Sequence, residues 1–215
     1  MLLFGKSFPE MLMMLAVNIF VVALILPLHE MAHGLVAGWL GDPTAKRNGR
    51  VTLNPLAHLD ILGSLAIFFI GYGWAKPVPV NPYNFKNRKV GMALTALAGP
   101  VSNILAAFVG VLLYTIFLPV EGGIADLMFN YYIVINIGLA VFNLLPIPPL
   151  DGSRILSLLI PDRYQEFIYR YERYSIFIIV ALVFSGILDV PMDFLINGIF
   201  SVLFWLANGI VGIFR

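Results

Sequence analysis

The chain has 215 residues, 60% of them hydrophobic and 12% charged, with a mean hydropathy of +0.91; soluble domains carry about 25% charged residues, so the composition excludes one and indicates a membrane protein. A net charge of +1 leaves no basic excess for a nucleic-acid partner. The absence of cysteine excludes disulfides, thiolate metal ligands and cysteine nucleophiles together.

Lys6 ahead of an apolar run has the outline of a signal peptide, but the run leads straight into a histidine pair and is read as retained. This first run, about Phe8 to Trp39, is long enough to cross a hydrocarbon core of about 30 Å. Pro27 predicts a kink within it, and Gly41-Asp42-Pro43 predicts its end. Toward its close stand His29-Glu30-Met31-Ala32-His33. Helical positions i and i+4 share a face, so the two imidazoles can close on one Zn²⁺ with Glu30 beside the open position. Zinc held this way lowers the pKa of a bound water toward about 7, and a neighbouring carboxylate can take the proton. The chain has only three histidines, so two of them flanking a glutamate at this spacing favour one Zn²⁺ per chain over satisfied core residues.

Residues 46–58 are polar and broken, and the alternation over 50–54 predicts a short strand. His58 is a candidate ligand or substrate-side donor, although a lone loop histidine is more often structural. The second run, Ile61 to Tyr72, is short for a span and predicts a re-entrant segment. Residues 76–82 are rich in proline and predict extended backbone. With 50–54, they are candidates for holding an unwound peptide by strand pairing. The third run, Val90 to about Leu118, contains Asn103, whose amide must face protein or water rather than lipid. After the acidic loop Glu121 to Asp126 comes the fourth run, Leu127 to Leu145, which Pro146, Pro148 and Pro149 end; Asp151 then lies on irregular backbone just beyond it. Arg154 to Arg173 predicts a helix on the membrane surface. A hairpin of two apolar helices, about Tyr174 to Leu188 and Met192 to Phe214, closes the chain.

A catalytic zinc with two histidines needs a third protein ligand, and seven aspartates and five glutamates are available. Positive residues favour the cytoplasm, which puts the loops with Lys46/Arg47/Arg50, Lys76 to Lys89 and Arg154 to Arg173 inside and 121–126 and 189–193 outside, provided that the second run does not cross. The first and fourth helices then both end inside, so Asp151 can join His29 and His33. Asp60, near the histidines in sequence, is the alternative. The same charges put the N-terminus outside, and the C-terminus and the site toward the cytoplasm. The expected fold is an all-α polytopic membrane protein, a single domain over 1–215 with a catalytic core of about 8–152 and C-terminal helices of about 174–214. About five spanning helices, a re-entrant segment and small extended or β loops near the site make it up.

Three motifs in order resemble the site-2 proteases, intramembrane zinc metalloproteases: His29 to His33 for HExxH, Gly99 to Asn103 for GxxxN, and Asn143 to Gly152 for N-x-x-P-x-x-x-L-D-G. Asn54 to His58 and Gly73 to Pro77 are similar to the family's compact branch without a PDZ domain. The resemblance implies His29, His33 and Asp151 as zinc ligands, Glu30 as general base, and Asn103 and Asn143 as polar groups near the scissile carbonyl. It also implies transmembrane helices of other membrane proteins, within the lipid bilayer, as substrates. A membrane protein that binds or transports zinc without proteolysis is the alternative; a structural site of that kind would be closed by four protein ligands, with His58 as one candidate.

Overall fold

The computed structural model describes residues 16, 19–63, 65, 75–161 and 165–213. It divides into two compact units, Met1–Gly91 and Met92–Arg215. All regular structure among the described residues is helical.

In the first unit a π-helical turn, Val21–Ile25, runs directly into helix α1, Leu26–Trp39. Pro27 lies in the first turn of α1 and is buried. Proline has no N–H to return to residue 23 and its ring crowds that carbonyl, so the wider π turn is how the chain meets the irregularity expected at Pro27. Helix α1 stops at Gly41, whose φ of +104° suits a residue without a side chain. Helix α2, Thr44–Arg47, packs back against α1, and 3₁₀ turns follow at Pro55–Ala57 and Pro82–Asn84.

The strand expected over 50–54 is not formed: Val51 and Thr52 are bends, and no strand occurs among the described residues. Local bonds take up the backbone instead. Asn54 N–H donates to Thr52 Oγ1 at 3.1 Å, Leu56 N–H to Asn54 Oδ1 at 3.1 Å, and the Thr52 carbonyl receives the His58 ring at 2.9 Å. Side chains that bond their own backbone compete with a ladder. Most of the expected re-entrant segment, 61–72, lies outside the described residues, apart from a helical start at 61–63 and Leu65.

Three helices among the described residues are long and apolar enough to cross a membrane: α3 (Arg88–Phe117), α4 (Ile124–Asn143) and the last helix, Asp189–Ile213. Between α4 and that helix lie α5 (Asp151–Leu156) and α6 (Gln165–Ser185), so the last is α7. The surface helix expected over 154–173 is divided. Turns at 157–160 and Pro161 separate α5 from α6, and α6 continues unbroken through Tyr174 because no glycine or proline interrupts it before Gly186.

The core of the second unit is Ala107 and Val111 on α3, Ile133, Ile137 and Val141 on α4, and Leu203 and Ala207 on α7. Lipid tails remove the hydrophobic drive for helix association, so close approach must come from small residues. A Cβ on Gly110 would come within 2.8 Å of the Tyr132 ring. Among these apolar side chains Asn103 donates to Asn136 Oδ1 at 3.3 Å, and Asn136 donates to the Tyr132 carbonyl at 2.8 Å.

Gly152 is a tightly enclosed glycine of this unit. A Cβ there would overlap the carbonyl oxygens of Leu144 and Leu145, which are backbone atoms and cannot swing aside. Gly152→Ala is therefore expected to lower the thermal unfolding midpoint in detergent, by a strain of about 1–3 kcal/mol or more. Gly198→Ala on α7, where nothing lies within 4 Å, is the matched control and leaves the midpoint unchanged or raised.

Candidate functional site

Helix α1 brings His29 and His33 together one turn apart. Both are buried, at 4% and 9% exposure, and their Nε2 atoms stand 3.0 Å apart with the rings edge to face. Two Zn–N bonds of about 2.0–2.1 Å at a tetrahedral angle would set their nitrogens about 3.3 Å apart, so the pair fits a shared metal with little adjustment. Glu30, half-buried, is the residue between them in sequence that is able to move a proton.

The carboxylate of Glu30 is held from outside its helix. Val78 N–H donates to Glu30 Oε2 at 3.0 Å. Val78 belongs to a strap of irregular backbone, residues 75–81, that is anchored on both sides of this contact. At the near end Lys76 N–H donates to the His58 carbonyl at 2.8 Å, and the guanidinium of buried Arg50 donates to the Lys76 carbonyl. At the far end Asn81 N–H donates to Asp42 Oδ2 at 2.7 Å. Gly34, one turn beyond Glu30, leaves the room: a Cβ there would meet Ala45 Cβ and Val51 Cγ2 at 3.1 Å and Val78 Cγ1 at 3.5 Å.

Asp42 is fully buried and accepts from three donors besides Asn81: Thr44 N–H at 3.1 Å, Thr44 Oγ1 at 2.5 Å and Asn84 Nδ2 at 2.6 Å act on Oδ1, with the Asn81 amide on Oδ2 completing the set. Burial pushes its carboxyl up, but the hydrogen bonds from Thr44, Asn84 and the two backbone amides outweigh it and hold the carboxyl below the ordinary value. Asp42 was not among the residues expected at the site, and Val78 was expected there only as part of a substrate-pairing segment, not as a partner of Glu30. A single carboxylate ahead of Lys46, Arg47 and Arg50, between Gly41 and Pro43, was the available sign for Asp42. A backbone N–H has no sign of its own in sequence.

The remaining candidates are placed as follows. His58 Nε2 donates to the Thr52 carbonyl, an acceptor only, and its own carbonyl anchors the strap. Asn103 is 0% exposed and paired with Asn136. Asn143, in the last turn of α4, donates to the Leu139 carbonyl at 2.9 Å. Asp60, the alternative ligand, accepts from Gly63 N–H at 2.8 Å. Asp151 is the first residue of α5, after the irregular backbone of 144–150 that its surrounding prolines predict.

Paired imidazoles beside a carboxylate, on a helix of a chain with several spanning segments, define the class of membrane-embedded zinc hydrolases. A family model described as Peptidase family M50 matches residues 120–186, a span that includes Asn143 to Gly152. YwhC of Bacillus subtilis, which bears the name of a zinc metalloprotease, is 41% identical over 162 residues, 72% of this chain and 74% of its own. A Methanocaldococcus jannaschii protein so named is 36% identical over 45% of this chain and half of its own length. Rip2 of Mycolicibacterium smegmatis, named likewise, is 29% identical over 75% of this chain and 64% of its own. No solved structure matches the chain. This chain belongs to peptidase family M50, and it is an integral membrane protein and a zinc metalloprotease.

The lowered carboxyl of Asp42 gives a pH dependence with a definite sign. Its unfolded value is about 3.9, so its stabilising contribution is full above that and is lost as pH falls through the lower folded value. Thermal midpoints of wild type and Asp42→Asn, measured in detergent from pH 7 downward, are expected to differ by a constant amount above about pH 5. The gap then narrows below about pH 4 as the wild-type carboxyl protonates.

Proposed function

We propose that this metalloprotease is an intramembrane endopeptidase that cuts transmembrane segments of other membrane proteins near the cytoplasmic face of the bilayer. The observation that carries the proposal is the convergence of two buried imidazole nitrogens, 3.0 Å apart, on an apolar helix that also presents Glu30. His29 and His33 hold one zinc ion, and Asp151 supplies the third ligand. Asp151 is supported by its place in the N-x-x-P-x-x-x-L-D-G stretch and by the charge distribution that lets the first and fourth runs end on one side. The same distribution puts the N-terminus outside and the C-terminus inside.

Bound there, zinc supplies Lewis acidity toward water and toward a peptide carbonyl. Glu30 takes a proton from the attacking water and passes it to the departing amine nitrogen. Asn103 and Asn143 are the amide donors for the developing oxyanion. Asn143 Nδ2 gives one N–H to the Leu139 carbonyl and carries a second. The substrate must be unwound where it is cut, because a helix occupies its own carbonyls. Residues 75–81 are extended enough to accept it along their edge. Across 77–79 they offer carbonyl acceptors only, since Pro77 and Pro79 have no N–H and that of Val78 is bonded to Glu30.

Glu30→Gln is expected to retain about one zinc per chain while losing cleavage of membrane-helix peptides by a factor of about 10² or more; Asp151→Ala and His33→Ala are expected to lose the metal itself. Metal analysis of the purified variants with a peptide cleavage assay checks both. Full zinc retention by Asp151→Ala would remove it from the ligand set.

A further inference from the structure

We propose that the main-chain N–H of Val78 is a positioning donor for Glu30: it fixes Oε2 of the carboxylate and leaves Oε1 as the oxygen that exchanges the proton. The proposal rests on the reading of Glu30 as general base. Its geometry stands within the first unit alone. The Val78 N–H to Glu30 Oε2 bond of 3.0 Å joins residues 48 apart in sequence. Pro77 and Pro79 flank Val78, so its N–H is the only backbone donor from residue 77 to residue 79.

Stiffness is what makes such a donor useful. A carboxylate on a freely rotating glutamate samples several rotamers, and the productive one must be selected on every turnover. The strap removes that freedom because it is itself tied at both ends: Lys76 is bonded through its N–H and its carbonyl to His58 and Arg50, and Asn81 is bonded to Asp42. The prolines at 77 and 79 fix φ between these anchors. Arg50, His58 and Asp42 therefore act on the base through Val78. A backbone donor also adds no proton equilibrium of its own, unlike a lysine or histidine in the same place.

The test has one arm without catalysis and one with it. Hydrogen exchange at the Val78 amide is measured on the full chain in detergent after chelation of metal, for wild type, Glu30→Gln and Glu30→Ala. The glutamine still offers a carbonyl oxygen, so the amide is expected to stay slow in wild type and Glu30→Gln and to exchange about tenfold or more faster in Glu30→Ala. Equal rates in wild type and Glu30→Ala overturn the contact. In the second arm Val78→Ala and Val78→Pro, which both lose the valine side chain, are compared at equal zinc content on one membrane-helix peptide. Only proline also loses the N–H, so kcat for Val78→Pro is expected to lie about tenfold or more below that for Val78→Ala with KM within about twofold. Equal kcat values overturn the positioning role. Retained cleavage by Glu30→Gln with Val78 still slow to exchange sinks the base assignment instead, and is distinguishable from both.

Discussion

A carboxylate buried without a cation must be satisfied by N–H and O–H donors, and in the first unit this requirement organises the chain around helix α1. Asp42 gathers Thr44, Asn81 and Asn84, which brings the segment after α1 together with a segment some 40 residues later. Glu30 takes Val78, and Asp60 takes Gly63, in the same manner. Each of these acids faces neutral donors, so each is held by direction as well as by charge. Charge-assisted hydrogen bonds of this kind are the stronger ones, and they fix geometry that apolar packing alone would leave loose. The strap over α1 follows from them.

Helix α1 has to satisfy two demands at once. It must bring His29 and His33 together along one side and turn Glu30, with Gly34, toward the strap and α2 on another. Periodicity meets the first, since i and i+4 stack one above the other. Gly34 meets the second by leaving space for Ala45, Val51 and Val78. The π turn before Leu26 absorbs the cost of Pro27 upstream, where the site geometry is not disturbed.

In the second unit the buried side chains Asn103, Asn136 and Asp126 find their partners within the chain. Asn103 and Asn136 bond to one another, and Asp126 accepts from Tyr114 Oη and Asn130 Nδ2 at 2.9 Å and from Gly122 N–H at 3.0 Å. Water does not compete for these groups inside a bilayer, so the partner must be another part of the chain. Small residues at 107, 110, 140 and 207 let the backbones close around them. This explains why polar side chains expected near the chemistry also have structural bonds.

The histidine pair, its carboxylate and the membrane class were legible because they depend on local spacing and composition. HExxH needs only helical periodicity to converge, and runs of apolar residues set helix length directly; α3 and α4 fall within three residues of the runs that predict them. The proline-rich stretch before Asp151 likewise announces its own irregular backbone. The strand expected over 50–54 failed because alternation describes a face and not a partner: Thr52, Asn54 and His58 closed the local hydrogen bonds before a ladder could form. The surface helix over 154–173 failed because Pro161 was a stronger boundary than the change from polar to apolar residues. What sequence alone determined was therefore the helix that brings two imidazoles together beside a glutamate, and the apolar runs that make this a membrane protein. Tertiary structure decided how they are held, because Val78 on Glu30 and Asn81 on Asp42 are backbone amides, identical in every residue but proline, and only folding distinguishes one from another.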